Sequence, residues 1–190
     1  MDEAATMSRV IELTGQVVDR IEPGQLDNPS PCTAWTVRDV LNHITAGAEM
    51  FAICVRDGEV SDERLGEIMM GDRLGDDYKA SFHRASDDAS AAFALPGAMD
   101  RIVKLPFGEM PAGMAVNIAI FDVTTHAWDL AKATGQSTDL DPETVTIAYQ
   151  VAQTMLTDDW RDAGMFGPSV EVADDAPVAD RLAGLAGRTP

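Results

Sequence analysis

The chain has 190 residues, 45% of them hydrophobic, and a formal net charge of −18. Such a length can bury a sizeable core, and the hydrophobic content excludes a disordered chain. The acidity excludes a phosphate-reading nucleic-acid binder and a protein held to anionic membranes, since both need clustered Lys and Arg. No stretch approaches the roughly 18 apolar residues of a membrane span. The opening MDEAATMSRV is acidic and lacks the apolar core of a secretory signal. A soluble, cytoplasmic protein of one domain, 1–190, is expected.

The first helix is predicted over Glu3–Ile21, where Met7, Val10, Ile11, Thr14, Val17, Val18 and Ile21 make one apolar stripe, and it ends at Glu22-Pro23-Gly24. DNPSPCTAW (27–35) reads as a loop. Thr36 and Asp39 then form a capping box for a second helix that runs to about Arg56. Residues 57–76 read as a loose loop with room for one helical turn. A third helix is predicted from Asp76 to Leu95. The alternating 100–108 stretch suggests a short strand or hairpin arm.

A fourth helix extends from Pro111 to Thr134, with Gly135 just past its end. Asp141 and Pro142 start a fifth, to about Trp160. PSVEV (168–172) is a candidate second strand, and a last helix spans Pro177 to Ala186. Long helices dominate, so the expected class is all-α: a four-helix bundle with one or two short peripheral strands and a short C-terminal helix. Cys54 falls in an apolar helical run and Cys32 in a loop. Two cysteines without a CxxC make no disulfide framework.

The three histidines carry the chemistry. In FDVTTHAWDLAKATGQ (121–136), Asp122 stands four residues before His126, so both share one helix face and can point at one ion. A carboxylate and an imidazole are ordinary ligands for zinc and other first-row metals, but two positions leave the shell incomplete. His43, near the inward stripe of the second helix, is the candidate third. The spacing alone is a weak signal. With 32 acidic residues in 190, an acid precedes any histidine by four positions about one time in six. Asp39 stands in that relation to His43, but it is used in the capping box. His83 with Asp87 reads as a solvated helix face. Trp35, Trp128 and Met114 are candidate pocket walls. Asp129 is available as a general base or as a group behind the ligands.

Three blocks, SPCTAWTVRDVLNHI (30–44), FDVTTHAWDLAKATGQ (121–136) and FGPSVEVADDAPVADRLAGLAGRTP (166–190), carry a resemblance. They resemble the DinB/YfiT-like metalloenzyme superfamily, and within it the bacterial group related to the N-terminal domain of mycothiol-dependent maleylpyruvate isomerase. The resemblance implies an up-down-down-up bundle with a divalent metal held by His43, Asp122 and His126. It also implies a glutamate at the usual place of Asp122, which is one methylene shorter, and a C-terminal domain in the isomerase that this chain lacks.

Two functions are compatible with these readings. One is a metal-dependent enzyme of the thiol transferase or isomerase kind, with zinc as the default ion, nickel or iron as alternatives, and mycothiol or a similar thiol as cosubstrate. The other is a non-catalytic bundle that binds a metal or small ligand. A homodimer is expected by analogy with relatives.

Overall fold

The computed structural model describes residues 2–157, 160–161 and 166–190. In chain order its elements are α1 (Glu3–Asp19), α2 (Val37–Asp57), α3 (Asp62–Met70), α4 (Tyr78–Phe93), β1 (Ile102–Leu105), β2 (Gly108–Pro111), α5 (Ala112–Ala133), α6 (Pro142–Met155) and α7 (Val178–Leu185). The helices start where the chain supplies an acceptor for free N–H groups. Asp2 accepts from the Ala5 amide, Asp77 from Ala80 and Asp141 from Thr144. Thr36 and Asp39 exchange the reciprocal bonds of a capping box.

Helices α1, α4, α2 and α5 pack in that order around the bundle, while α6 and α7 lie against α5. Cross-links define their directions. The Tyr78 hydroxyl at the start of α4 donates to the Ile21 carbonyl past the end of α1, 2.7 Å away, so these two run antiparallel. Arg56 near the end of α2 pairs with Asp88 near the end of α4, so this pair is parallel. Gln136, just past α5, donates to the Val17 carbonyl near the end of α1 at 3.0 Å, which makes α1 and α5 parallel. The result is the expected up-down-down-up bundle.

The stripe of α1 is buried at Met7, Val10, Val17, Val18 and Ile21, and that of α2 at Val37, Val40, Leu41, Ile44, Phe51 and Val55. One apolar cluster joins Val40, Leu41 and Ile44 to Leu130, and a larger one joins Ala46 and Met50 to Ala119 and Phe121. His43, Asp122 and His126 fall between the segments that feed these two cores.

Three expectations need correction. The 57–76 stretch contains α3 rather than only loose loop. Ser61 caps it by accepting from the Arg64 amide, and Ile68 is its one fully buried side chain. Gly66 and the exposed Met69 and Met70 hide any stripe there. The second strand is 108–111, paired antiparallel with 102–105 in a hairpin. Residues 168–172 form no strand, because the Val170 amide finds its acceptor at 2.8 Å in the Gly184 carbonyl of α7. Finally, α6 stops at Met155, where Leu156 leaves helical geometry at φ −76 and ψ 69. The expected extension to Trp160 crosses Asp158 and Asp159, which lie outside the described residues. No helix among the described residues is long and apolar enough to cross a membrane.

Gly184 makes the packing of the C-terminal segment testable. A Cβ there would stand 2.3 Å from Val172 Cγ2 and 2.9 Å from the Val170 carbonyl oxygen, whereas one at Gly66 in α3 meets nothing within 4 Å. Alanine in a helix is ordinarily favoured over glycine by about 0.8–1 kcal/mol. Gly66→Ala should therefore raise the thermal midpoint. Gly184→Ala should lower it, with overpacking costing about 1–3 kcal/mol.

Candidate metal centre

His43 sits two turns into α2 and faces α5 across the bundle. Its Nε2 lies 3.3 Å from Asp122 Oδ2, and Asp122 Oδ1 lies 3.5 Å from His126 Nε2. The donor atoms of His43, Asp122 and His126 all fall within 4.8 Å of one another. Antiparallel α2 and α5 thus bring together the trio named from spacing and resemblance. These separations exceed the about 2.7–2.9 Å of a charge-assisted hydrogen bond. The His43–Asp122 contact is a long hydrogen bond, and both separations are also close to the about 3.3–3.4 Å edge of a tetrahedron of ligands about 2.0–2.1 Å from a central ion.

The other nitrogen of His126 decides what the first can do. Nδ1 lies 3.0 Å from Asp129 Oδ2. A carboxylate only accepts, so Nδ1 donates to Asp129, and Nε2 is the nitrogen left facing Asp122. An approach of that nitrogen to a carboxylate oxygen is favourable when a cation, proton or metal, lies between them. The carboxylate–histidine arrangement is the one that orients imidazole ligands in metal sites.

Asp129 is 0% exposed, and a carboxylate that deep requires compensation. Arg188 supplies it, with Nη2 2.9 Å from Oδ2 and Nε 3.2 Å from Oδ1. The remaining Nη1 donates to the Ala186 carbonyl at 2.7 Å. Burial works against the Asp129 charge, but the hydrogen bonds from His126 and Arg188 prevail and lower its pKa. Gly187, left-handed at φ +86, turns the chain after α7 so that Arg188 reaches back into the bundle. Burial likewise opposes the Asp122 charge. His43, His126 and Arg188 nevertheless hold that carboxyl well below the usual carboxylate range. In His43 burial pulls the pKa down, and the facing Asp122 carboxylate more than offsets it.

The loop before α2 completes the site. Ala34 takes a left-handed backbone, φ 70, in a turn closed by the Trp35 amide donating to the Cys32 carbonyl at 3.0 Å. Trp35 then lies against both imidazoles, with ring centroids 5.0 Å from His43 and 5.7 Å from His126. An open, polar groove of about 450 Å³ runs along Trp35, Asp39, Asn42 and His43. On the other flank a cavity of about 260 Å³ also reaches His43 and Asp122.

Trp35 is therefore the one candidate wall that touches the ligands. Trp128 is buried and donates at 3.0 Å to Asp180, anchoring α7. Met114 is 58% exposed, two turns before Asp122. Asp129 is a positioning group, enclosed and doubly bonded, and it cannot serve as a general base toward the cavity. His83 pairs with Asp19 at 2.8 Å rather than with Asp87, on a solvated face.

Two residues near the site went unread in the sequence. Cys32 lies within 4.8 Å of the His126 and Asp129 donors, and burial raises its thiol pKa against the pull of Arg188. In that second trio His126 Nδ1 and Asp129 already bond each other, so their donors are engaged. Arg188 stood inside the third resemblance block, 59 residues from Asp129, where no periodicity links the two.

Removing Asp129 should expose this dependence. Asp129→Ala leaves Arg188 buried without a partner and should destabilise the metal-free protein by about 3–5 kcal/mol at neutral pH. The folded carboxyl titrates below its unfolded value of about 3.9. Its contribution is thus fully present above that value and lost as pH falls through the folded one. Denaturant melts from pH 7 to pH 3 should show the gap between wild type and variant narrowing toward acid.

The geometry can be set beside known proteins. The family model described as the mycothiol maleylpyruvate isomerase N-terminal domain matches residues 8–131. Two uncharacterized proteins of Mycobacterium tuberculosis, from strains CDC 1551 and H37Rv, are each 34% identical over 190 residues, covering 100% of this chain and 99% of theirs. The crystal structure of the mycothiol-dependent maleylpyruvate isomerase is similar at a TM-score of 0.71 and 18% identity, covering 98% of this chain and 88% of that one. A histidine-to-alanine mutant of that enzyme matches at 0.72 and 17%, with the same coverage. At this identity the likeness establishes the DinB-like fold. With most of its helical core matched by the family model, this chain belongs to the mycothiol maleylpyruvate isomerase N-terminal domain family.

Proposed function

We propose that the chain is a single metal-binding bundle domain, 1–190, that holds a divalent ion through His43, Asp122 and His126 and acts on a small molecule with the help of a low-molecular-weight thiol. The observation that carries this reading is the convergence of the His43, Asp122 and His126 donor atoms within 4.8 Å of one another, with the ring of His126 held by Asp129 and, behind it, Arg188. Two imidazoles and one carboxylate suit zinc, with nickel or iron as alternatives. A divalent ion held there supplies a Lewis acid that lowers the pKa of a thiol or water or polarises a carbonyl.

The rest falls to the chain's own residues. Trp35 packs on both imidazoles and restrains their rings. The polar groove along Trp35, Asp39 and Asn42 has the openness and hydrogen-bonding groups for a hydrophilic thiol such as mycothiol, which the name of the matched family suggests. The cavity on the other flank keeps a second molecule beside the same ligands. A groove and a cavity that both reach His43 favour a transferase or isomerase over a closed structural site. Two free cysteines suit a cytoplasmic setting.

Elemental analysis of protein purified without added metal tests the centre. Wild type should carry close to one equivalent, His126→Ala should lose it, and His83→Ala should retain it. Asp39→Ala should keep the metal while losing about 0.5–2 kcal/mol of helix-cap stability. Asp122→Glu should also keep it, the longer side chain restoring the ligand expected from the family. Metal lost from Asp39→Ala but retained in Asp122→Ala would overturn the assignment. A mycothiol-consuming assay that needs the metal-loaded protein would separate the enzyme from a non-catalytic binder.

The homodimer is carried over from the analogy with relatives. Sedimentation at micromolar concentration should give about twice the 20.3 kDa chain mass. A monomer alone would refute the dimer.

A further inference from the structure

We infer that the cavity beside the candidate centre takes an uncharged, largely apolar small molecule with a single polar atom directed at His43 and Asp122, and that it rejects dicarboxylates. The direction of that polar atom rests on the metal reading above. The apolar character of the cavity does not.

The cavity arises one turn beyond each ligand. Gly47 stands four residues after His43 on α2, and Ile118 four before Asp122 on α5, so both line the space next to the ligands. Gly47 matters because it has no side chain: a Cβ there would meet nothing within 4 Å. Phe51 and Phe121 form deeper walls. Phe107, from the hairpin turn, and Trp160 close the outside, their ring centroids 6.1 Å apart.

Among the described lining residues the only ionisable side chains are His43 and Asp122, and none is Lys or Arg. The sequence at 158–159 and 162–165 contains no Lys or Arg either. Arg161, beside Trp160, is engaged elsewhere, donating to the carbonyls of Gly167 and Leu185. One anionic group of a ligand could be met at the His43–Asp122 end. A second carboxylate would sit against Phe and Met side chains, stripped of water and without a counter-charge, in a protein of net charge −18. A neutral molecule gains from the same walls.

The test is calorimetric titration of the purified metal-loaded protein with two probes. Acetophenone is neutral, apolar and carries one carbonyl; maleate is a small dicarboxylate. The inference expects acetophenone to bind and maleate to bind at least about tenfold more weakly, or not at all. Gly47→Leu fills the space from mid-helix, where leucine is favoured over glycine, and should abolish acetophenone binding with metal content unchanged. Should that variant fail to fold, Phe107→Asp at the partly exposed rim places a charge in the mouth and should weaken acetophenone binding by about tenfold or more. Maleate binding as tightly as acetophenone would overturn the inference. So would acetophenone binding that survives in a folded Gly47→Leu. Protein without metal that binds acetophenone equally well, and loses it in Gly47→Leu, would overturn the metal's part in directing the polar atom and leave the cavity assignment standing.

Discussion

Asp129 is a charged group with no access to water, and two cations or donors from distant parts of the chain make that tenable. His126 lies three residues before it on the same helix, and Arg188 arrives from beyond α7. A buried carboxylate with one partner would still be under-compensated; with both, every oxygen is engaged. This single requirement links features that otherwise look unrelated. It makes Nδ1 of His126 a donor, and it draws the C-terminal segment onto the bundle. It also explains the left-handed Gly187, which redirects the chain immediately before Arg188.

The site inherits its geometry from that link and from the bundle's handedness. Parallel α2 and α4 oblige the chain to return along the bundle between them, and α3 lies on that return. Antiparallel α2 and α5 then set His43 opposite Asp122, at the level where one apolar core gives way to the other. Polar residues at this junction interrupt less apolar packing than they would within either core. Trp35 covers them from the loop side. Apolar walls beyond Gly47 and Ile118 leave them facing a cavity on the other. His43 therefore meets both an open, polar groove and a largely apolar cavity, while Asp122 lines the cavity alone, and the chemistry available to them follows from that contrast.

The C-terminal region holds the site from behind. Val170 pairs with the Gly184 carbonyl, Trp128 of α5 reaches Asp180 of α7, and Arg161 bonds Leu185. Apart from Trp128, the partners in these contacts lie outside the stretch that the family model matches, residues 8–131. The helical core thus contributes the donors and Asp129, and the segment after it contributes Arg188, which holds Asp129 in place.

Helical periodicity, the Thr36–Asp39 box and the Asp141–Pro142 start were readable because each is a local pattern, complete within a few residues. The Asp122–His126 pair was readable for the same reason, although its spacing alone could not exclude Asp39 with His43; the inward stripe of α2 named His43 as the third ligand, and the resemblance implied the same trio. Helix α3 was hidden because a single buried residue, Ile68, makes no stripe. The 168–172 segment alternates like a strand, yet its amide partner is a helix carbonyl, which alternation cannot encode. Arg188 and Cys32 were silent because their partners lie far along the chain. The sequence by itself determined which helices form and which faces are apolar, since both follow from neighbours within a few turns. Only the tertiary structure decided the orientation of His126, the burial of Asp129 and the apolar cavity, because each is a property of groups brought together by packing.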